Sequence, residues 1–227
     1  MLKAFMFDVE GVLINLEHYR YVCWKSILSQ HNILLNDKLW KEAYGHKRME
    51  VANILLKKTK LSQNEITSIC NETNSLFVSL VEKGISSKAL YAGIKNLLRT
   101  IKQKHYLLIA NSSSQNVDIL LKKTNIYKEF DYVTNYDNLK GFSVDEKATL
   151  TPPVMAMNKL KLLGNECIAF DDSPQNIDIL NKLNIFTIGI TNYQDKKSFN
   201  SKMIYNSSQN INYEEVTFNY YKKYDSN

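Results

Sequence analysis

The sequence predicts an α/β fold in which a doubly wound parallel sheet is interrupted early by an inserted helical domain. In the second half of the chain, apolar runs of strand length alternate with amphipathic helical stretches, which is the pattern of a parallel sheet covered by helices. Residues 16 to 84 instead carry several helical stretches without a convincing strand. We therefore expect an α/β core formed by residues 1–14 and 86–227, and a helical cap domain formed by residues 15–85.

Four apolar runs have the length and composition of buried parallel strands. They are KAFMFD at 3–8, HYLLIAN at 105–111, ECIAFDD at 166–172 and NIFTIGI at 184–190, with FDYVTN at 130–135 as a weaker fifth. Three of the four best strands end in polar residues: Asp8, Asn111, and the pair Asp171 and Asp172. Ligands of such sheets bind at the carboxyl ends of the strands, so we expect these side chains to share a site.

Amphipathic helical patterns connect these strands. Residues 115–124, 153–163 and 174–183 each place apolar side chains at three- and four-residue spacing. A further helix, IKNLLRTIKQ, follows the point near residues 85–93 where the chain returns from the insertion. Because the chain has only 7 Gly and 3 Pro, we expect two short hinges and no flexible linker.

Composition excludes several classes of protein. With 44% hydrophobic and 23% charged residues, the 227-residue chain is neither disordered nor fibrous. The net charge of +6 favours an acidic partner such as a phosphate ester, but the basic residues are scattered, so we expect no nucleic acid partner. No run approaches the roughly 18 apolar residues of a membrane span, so we expect a cytoplasmic protein without a membrane partner. The three cysteines form no CxxC pair, which argues against a zinc site or a disulfide.

The first polar motif is Asp8-Val9-Glu10-Gly11. A carboxylate at a strand end can attack phosphorus if a divalent cation neutralises its repulsion with the phosphate. An acid two residues later can protonate the leaving oxygen and then activate water, and Gly11 permits the tight turn between them. The alternative is a strand followed by an ordinary acidic turn.

The second and third motifs follow later strands. Asp171 and Asp172 close a strand before Ser173 and Pro174 open a helix, and oxygen ligands at such an edge suit Mg²⁺. The alternative is a Ser-capped helix start. Residues 111–114, Asn-Ser-Ser-Ser, form a hydroxyl-rich turn that could hold phosphate oxygens at a helix N-terminus, or could be an ordinary N-cap.

Together these motifs resemble the haloacid dehalogenase superfamily, in its β-phosphoglucomutase-like and phosphoglycolate phosphatase-like branch. FDVEGVL resembles the first family motif, LLIANSSSQNVDILL the second, and FDDSPQNIDIL followed by IFTIGI the fourth. The similarity covers about 200 of the 227 residues, and residues 18–28 and 45–56 resemble the β-phosphoglucomutase cap. The resemblance implies a Rossmann-like core with an inserted four-helix-type cap domain.

The resemblance also implies roles for the acids. Asp8 would be the nucleophile and Glu10 the general acid and base. The implied cofactor is Mg²⁺, held at a site formed by Asp8, Glu10, Asp171 and Asp172. The family usually has Asp at the position of Glu10, although its enolase-phosphatases also carry an Asp-x-Glu-Gly motif, which makes Glu10 compatible with hydrolysis.

For the phosphate, the resemblance implies contacts from Asn111, Ser112 and Ser113 and from a lysine. The strand-end Ser or Thr of the second motif corresponds to Ala110 if the motif is aligned on its Asn, and to Asn111 or Ser112 if the alignment slides. The family lysine directly precedes a proline, whereas this chain has EKATLTPP. Lys147 is the best candidate and Lys140 the next.

In the cap, Arg48 matches a basic residue with which enzymes of this branch hold a second anionic part of the substrate. The alternative is an ordinary surface arginine. Arg20, also a candidate substrate contact, stands where β-phosphoglucomutases have a histidine that shuttles protons. Arginine cannot titrate near neutral pH, which argues against a mutase.

We therefore expect a phosphoric monoester hydrolase: a haloacid dehalogenase-like phosphatase that acts on a small, phosphosugar-like metabolite through a phospho-aspartate. The alternatives are a phosphosugar mutase, a catalytically weak homologue that serves as a binding or regulatory module, and, remotely, a dehalogenase. The expected partner is a small-molecule phosphate ester, and the expected assembly is a monomer or a homodimer.

Overall fold

A computed structural model of the protein describes residues 1–44, 46, 48–112, 117–134, 151–192 and 194–224. The chain forms two compact units. The larger unit combines Met1–Asn15 with Ser86–Asn227, and the smaller unit is the continuous segment Leu16–Ile85. The chain thus leaves the larger unit shortly after its first strand and returns to it about 70 residues later.

A parallel sheet forms the centre of the larger unit. Its strands are β1 (Ala4–Asp8), β2 (Leu107–Asn111), β3 (Tyr132–Thr134), β4 (Cys167–Asp171), β5 (Phe186–Ile190) and β6 (Met203–Tyr205). The strand order is β3-β2-β1-β4-β5-β6, and all neighbouring strands are parallel. The order reverses between β1 and β4, which is the position where doubly wound sheets bind ligands.

Four helices form the smaller unit in its described residues. They are α1 (Glu17–Gln30), α2 (Asp37–Ala43), α3 (Arg48–Leu56) and α4 (Gln63–Gly84). Side chains such as Trp24, Leu28, Leu55 and Ile69 pack into one buried apolar cluster. A capping box at Ser62 begins the longest helix, α4.

In the part of the larger unit that the structure describes, five α-helices lie between or after the strands. They are α5 (Ile94–Gln103), α6 (Val117–Lys123), α7 (Pro152–Leu160), α8 (Pro174–Lys182) and α9 (Tyr213–Tyr224). On one face of the sheet, Met6 packs in a cluster with Ala156 of α7 and Leu180 of α8. On the other face, the ring of Phe5 lies 6.1 Å from that of Tyr213 of α9. Helices thus cover both faces, and the predicted doubly wound α/β fold is confirmed.

The sequence predicted the central strands because covered parallel strands are apolar on both faces. All five predicted strands are present, each within two residues of its expected bounds at either end. In the larger unit, β6, a three-residue edge strand, and α9, which lies in the Tyr- and Asn-rich tail, were not predicted. β6 is too short to show a period, and α9 buries only Val216 and Tyr220 fully.

Candidate active site

Asp8 and Asp171 end the two central strands. Phe7 pairs with Phe170 across the β1–β4 ladder, and their rings stack with centroids 4.6 Å apart. The next residue on each strand is an aspartate. Because neighbouring strands lie about 4.8 Å apart, the ladder brings the two carboxylates to the same point of the carboxyl edge.

The loop after β1 is held in a tight turn. The Gly11 N–H donates to the carbonyl of Ile14 at 2.9 Å, and the Ile14 N–H donates to the carbonyl of Val9 at 2.9 Å. Gly11 has φ +88°, and a β-carbon there would lie 1.9 Å from Oδ2 of Asp172. Only glycine satisfies both the backbone conformation and the space, so the turn that carries Glu10 lies directly against Asp172.

The loop after β4 orients the Asp171 carboxylate. Oδ1 of Asp171 accepts from the Ser173 N–H at 2.9 Å, and both carboxylate oxygens lie 3.2 Å from Nδ2 of Asn176. Ser173 also caps α8 by accepting from the Asn176 N–H at 3.4 Å. The helix-cap alternative from the sequence is therefore present together with a fixed, buried aspartate.

Burial and neighbouring like charges both act on the acids of the site. Burial raises the pKa of Asp8 well above its usual value, and the neighbouring Asp171, Asp172 and Glu10 raise it further. Asp8 therefore interacts electrostatically with each of the other three acids. The carboxylate form of Asp8 would be favoured by a cation that compensates this repulsion.

Asp171 is the most buried acid of the cluster, with 6% of its surface exposed. Burial raises its pKa to about 7, although the hydrogen bonds from Ser173 and Asn176 act in the opposite direction. A buried carboxyl group with such a pKa at the carboxyl edge of a parallel sheet is a candidate functional group.

The donor set fits Mg²⁺. The described residues contain no group of three or more His, Cys, Asp or Glu side chains arranged as metal ligands. Mg²⁺, however, commonly binds through one or two carboxylates and completes its octahedron with water and substrate phosphate. Asp8 and Asp171 supply such a pair of hard oxygen ligands, and their repulsion calls for a cation.

The end of β2 places polar groups beside Asp8. The ladder pairs Asp8 with Asn111, while Ala110 pairs one residue earlier with Phe7. The hydroxyl of Thr134 donates to Oδ1 of Asn111, and the Ser112 N–H donates to the Thr134 carbonyl at 3.0 Å. Asn111 and Ser112 are both buried at this edge, so the structure brings them to the acid cluster.

Three of the predicted phosphate contacts lie outside the described residues: Ser113, Lys147 and the alternative Lys140. The two cap arginines are both described and lie in the smaller unit. Arg20 Nη1 donates to Oε1 of Glu17 at 2.8 Å, and its guanidinium lies 5.8 Å from the ring centroid of Phe77. Arg48 begins α3 and is exposed.

A group of residues that supports the acid loops was not predicted from the sequence. Asn192 and Gln194, in the turn after β5, donate side-chain hydrogen bonds to the carbonyls of Gly11 and Asp172. Tyr91, near the start of α5, donates to Asn192. Asn192 and Gln194 follow a predicted strand at the carboxyl edge, and this position was the available signal, but no motif marked them.

A family model supports what the geometry indicates. The model for haloacid dehalogenase-like hydrolases matches residues 2–184, which include Asp8, Asn111, Asp171 and Asp172. This chain belongs to the haloacid dehalogenase-like hydrolase family. The acids of the carboxyl edge thus lie in the part of this haloacid dehalogenase-like hydrolase that the family model matches.

Individual relatives cover most of the chain. It is 24% identical over 193 residues to β-phosphoglucomutase of Bacillus subtilis, covering 83% of each chain. It is 20% identical over 200 residues to validoxylamine A 7′-phosphate phosphatase of Streptomyces hygroscopicus, covering 87% of this chain and 90% of the relative. The crystal structure of β-phosphoglucomutase from Clostridium difficile is similar over 100% of both chains, with 25% identity and a TM-score of 0.72. Among the described residues, no helix is long and apolar enough to cross a membrane.

Proposed function

We propose that this protein is a Mg²⁺-dependent phosphatase that hydrolyses a small phosphate ester through a phospho-aspartate on Asp8. The observation that carries the proposal is the position of Asp8. It ends a central strand at the switch point of the sheet, where Asp171, Asp172 and Glu10 are close enough to raise its pKa. Such a cluster of acids lowers the stability of the folded protein. The binding of a cation and a phosphate group is a function that would account for it.

In the first step, a carboxylate oxygen of Asp8 attacks phosphorus in line with the leaving oxygen. A bond forms between Asp8 and phosphorus, the bond from phosphorus to the leaving oxygen breaks, and Glu10 gives its proton to that oxygen. Asn111 and Ser112, beside Asp8, contact the transferring phosphoryl group. The products are a free alcohol and a phosphorylated Asp8.

In the second step, water attacks the phosphorus of phospho-Asp8. Glu10, now a carboxylate, takes the proton from this water, and the bond between phosphorus and Asp8 breaks. Inorganic phosphate leaves, and both acids return to their starting forms. The same residue serves as acid and then as base because it faces the same oxygen position in both steps.

The acids that would hold Mg²⁺ are Asp8 and Asp171, with Asp172 and Glu10 beside them. When bound, Mg²⁺ compensates the repulsion between these carboxylates and the phosphate. The buried position of Asp171 and its bonds from Ser173 and Asn176 keep its oxygens oriented for this task. Because Asp171 is buried, its negative charge would interact strongly with a bound cation.

We further propose that residues 15–85 act as a cap domain that selects the substrate. The exposed Arg48 at the start of α3 would hold a second anionic or polar part of a phosphosugar-like metabolite. Arg20 is hydrogen-bonded to Glu17, and this pair would contribute charged groups to the same domain. The relatives include a phosphatase with a 7′-phosphate substrate in its name, which supports a small phosphorylated molecule.

Phosphate release from 4-nitrophenyl phosphate and a panel of small phosphate esters tests this function. We expect turnover that requires Mg²⁺ and is lost in Asp8→Asn. Asp178→Asn is the matched control, because Asp178 is an exposed acid on α8. A folded wild-type protein without turnover, or turnover that Asp8→Asn retains, would contradict the proposal; the former result would favour a binding or regulatory module.

A phosphosugar mutase is the second candidate, because two of the relatives reported above are β-phosphoglucomutases. A mutase would convert glucose 1-phosphate into glucose 6-phosphate only when a sugar bisphosphate is supplied. We expect hydrolysis to dominate because Arg20 cannot shuttle protons near neutral pH. Bisphosphate-dependent isomerisation that exceeds phosphate release would favour the mutase instead.

A further inference from the structure

The turn after β5 contacts the backbone of both acid-bearing loops. Nδ2 of Asn192 donates to the Gly11 carbonyl oxygen at 3.0 Å, and Nε2 of Gln194 donates to the Asp172 carbonyl oxygen at 2.8 Å. The turn is itself anchored, since the Gln194 N–H donates to the Thr191 carbonyl at 2.7 Å. We call Asn192 and Gln194 the clamp residues, because one turn holds both loops.

Asn192 is fixed from two sides. Its backbone has φ +50°, a left-handed conformation that asparagine tolerates better than most residues. The hydroxyl of Tyr91 donates to its Oδ1 at 3.1 Å, which directs Nδ2 toward Gly11. The Tyr91 N–H also donates to the Leu13 carbonyl at 3.1 Å. Three hydrogen bonds thus link Gly11, Asn192, Tyr91 and Leu13, and the backbone from Gly11 to Leu13 closes the circuit.

This circuit begins next to the residue whose position matters most for proton transfer. Glu10 immediately precedes Gly11, and its side chain has one more rotatable bond than an aspartate. A displacement of about 1 Å is enough to impair a catalytic group a hundredfold. A long side chain therefore needs a backbone that is held at a defined position, and Gly11 by itself is the most flexible residue available.

We propose that Asn192, oriented by Tyr91, is a positioning residue that holds the Gly11 carbonyl so that Glu10 reaches the leaving-group oxygen. Gln194 holds Asp172 against the same loop. This inference rests on the proposed phosphatase function and adds a device that lies outside the acid motifs. Neither clamp residue contacts the reacting atoms; both act through the backbone of the loops.

The test compares two substrates that differ only in their leaving groups. Phenyl phosphate needs a proton on its leaving oxygen more than 4-nitrophenyl phosphate does, because nitrophenolate is the better leaving group. We expect Asn192→Gly to lower kcat/KM about tenfold or more for phenyl phosphate, but less than about threefold for 4-nitrophenyl phosphate. Gly keeps the left-handed backbone while removing both side-chain hydrogen bonds. Equal losses for the two substrates would overturn the proposal.

Tyr91→Phe is the second variant, because it removes a single hydroxyl and is expected to fold. It should show the same preference for the better leaving group, with a smaller loss. Tyr224→Phe is the matched control: its hydroxyl donates to the Asn184 carbonyl at 3.1 Å, away from the acids. A substrate-selective loss in the control equal to that in Tyr91→Phe would contradict the assignment.

A double-mutant cycle tests whether Asn192 acts through Glu10. Once Glu10→Gln has removed the proton donor, Asn192→Gly should cause little further loss with phenyl phosphate. Residues that act independently would instead give losses that multiply. Multiplying losses would therefore show that Asn192 does not act through Glu10.

Hydrogen exchange separates this inference from the proposed function. The amides of Gly11, Leu13 and Ile14 all donate within the loop, and we expect them to exchange at least about tenfold faster in Asn192→Gly. Absent turnover in the wild type would contradict the phosphatase, whereas unchanged exchange in a folded Asn192→Gly would contradict the clamp. Accelerated exchange together with the selective kinetic loss is the expected result.

Discussion

Glu166 and Asp171 stand at opposite ends of β4, and the protein treats their carboxylates in opposite ways. Glu166, just before the strand, accepts from the Leu163 N–H at 2.9 Å and pairs with Lys3 at 2.6 Å. These contacts lower its pKa. Asp171, the last residue of the strand, is buried near Asp8, and its pKa rises to about 7.

The two edges of this sheet therefore differ in function. At the amino edge, Glu166 pairs with Lys3 and accepts a hydrogen bond from a backbone N–H, and these contacts stabilise its carboxylate. At the carboxyl edge, the chain gathers acids that repel one another, at a cost to stability. Active sites commonly accept such a cost, because catalysis needs groups that a stable surface would not hold.

The largest expected difference between these two acids is in activity. Asp171→Asn should lower kcat/KM by at least about a hundredfold, because it removes a ligand of the proposed metal. Glu166→Gln should leave kcat/KM within about twofold of the wild type, since its pairing with Lys3 lies at the other edge. Phosphate release in saturating Mg²⁺ measures both, and similar losses in the two variants would contradict the different functions assigned to Asp171 and Glu166.

Mg²⁺ should also have different effects on the free energy of unfolding of variants at the two edges. A ligand that binds only the folded state at a hundred times its Kd adds about 2.7 kcal/mol to the free energy of unfolding. We expect Mg²⁺ to stabilise the wild type and Glu166→Gln alike, and to stabilise Asp171→Asn much less. Urea unfolding with and without Mg²⁺ measures this, and an equal gain in Asp171→Asn would remove Asp171 from the metal site.

The smallest expected effect is the pH dependence of stability without Mg²⁺. Asp171 has a higher pKa in the folded state than its ordinary value of 3.8, so the folded protein holds this proton more firmly. Its contribution to stability is complete below about pH 4 and falls as pH rises toward about 7, by at most about 1.4 kcal/mol per pH unit. Asp171→Asn should flatten this decline between about pH 5 and pH 7.

Glu166 has the opposite sign, because its folded-state pKa is lowered. Its contribution is present above its ordinary pKa and is lost as pH falls through the folded value. Glu166→Gln should therefore cost stability near pH 7, by less than about 1 kcal/mol because Lys3 is half exposed. Unfolding curves for both variants at several pH values measure the two slopes, and equal slopes would contradict the assigned shifts.

The acids of the site could be predicted from sequence because they end long apolar runs. Asp8, Asp171 and Asp172 follow strands that are buried on both faces, and strand ends at one edge of a parallel sheet converge. The register then places Asn111, rather than Ala110, beside Asp8. That choice depends on strand pairing, which a single sequence does not contain.

The clamp residues could not be predicted, because long-range hydrogen bonds leave no local pattern. Asn192 lies 181 residues from Gly11 in the chain, and Tyr91 lies 101 residues from Asn192. Each is a common polar residue in a turn or beside a helix start. Helix α9 was not predicted for a related reason: part of its packing is made by Tyr220, whose ring is buried while its hydroxyl donates to the Asn165 carbonyl.

The most direct test of the account is the detection of phosphate on Asp8. Glu10→Gln should still be phosphorylated by 4-nitrophenyl phosphate, whose leaving group needs no proton, but should hydrolyse the intermediate slowly. After rapid acid quenching, mass spectrometry should find one phosphoryl group on the peptide that contains Asp8, and none in Asp8→Asn. Turnover by the wild type without a phosphorylated Asp8 under any quench time would contradict the account.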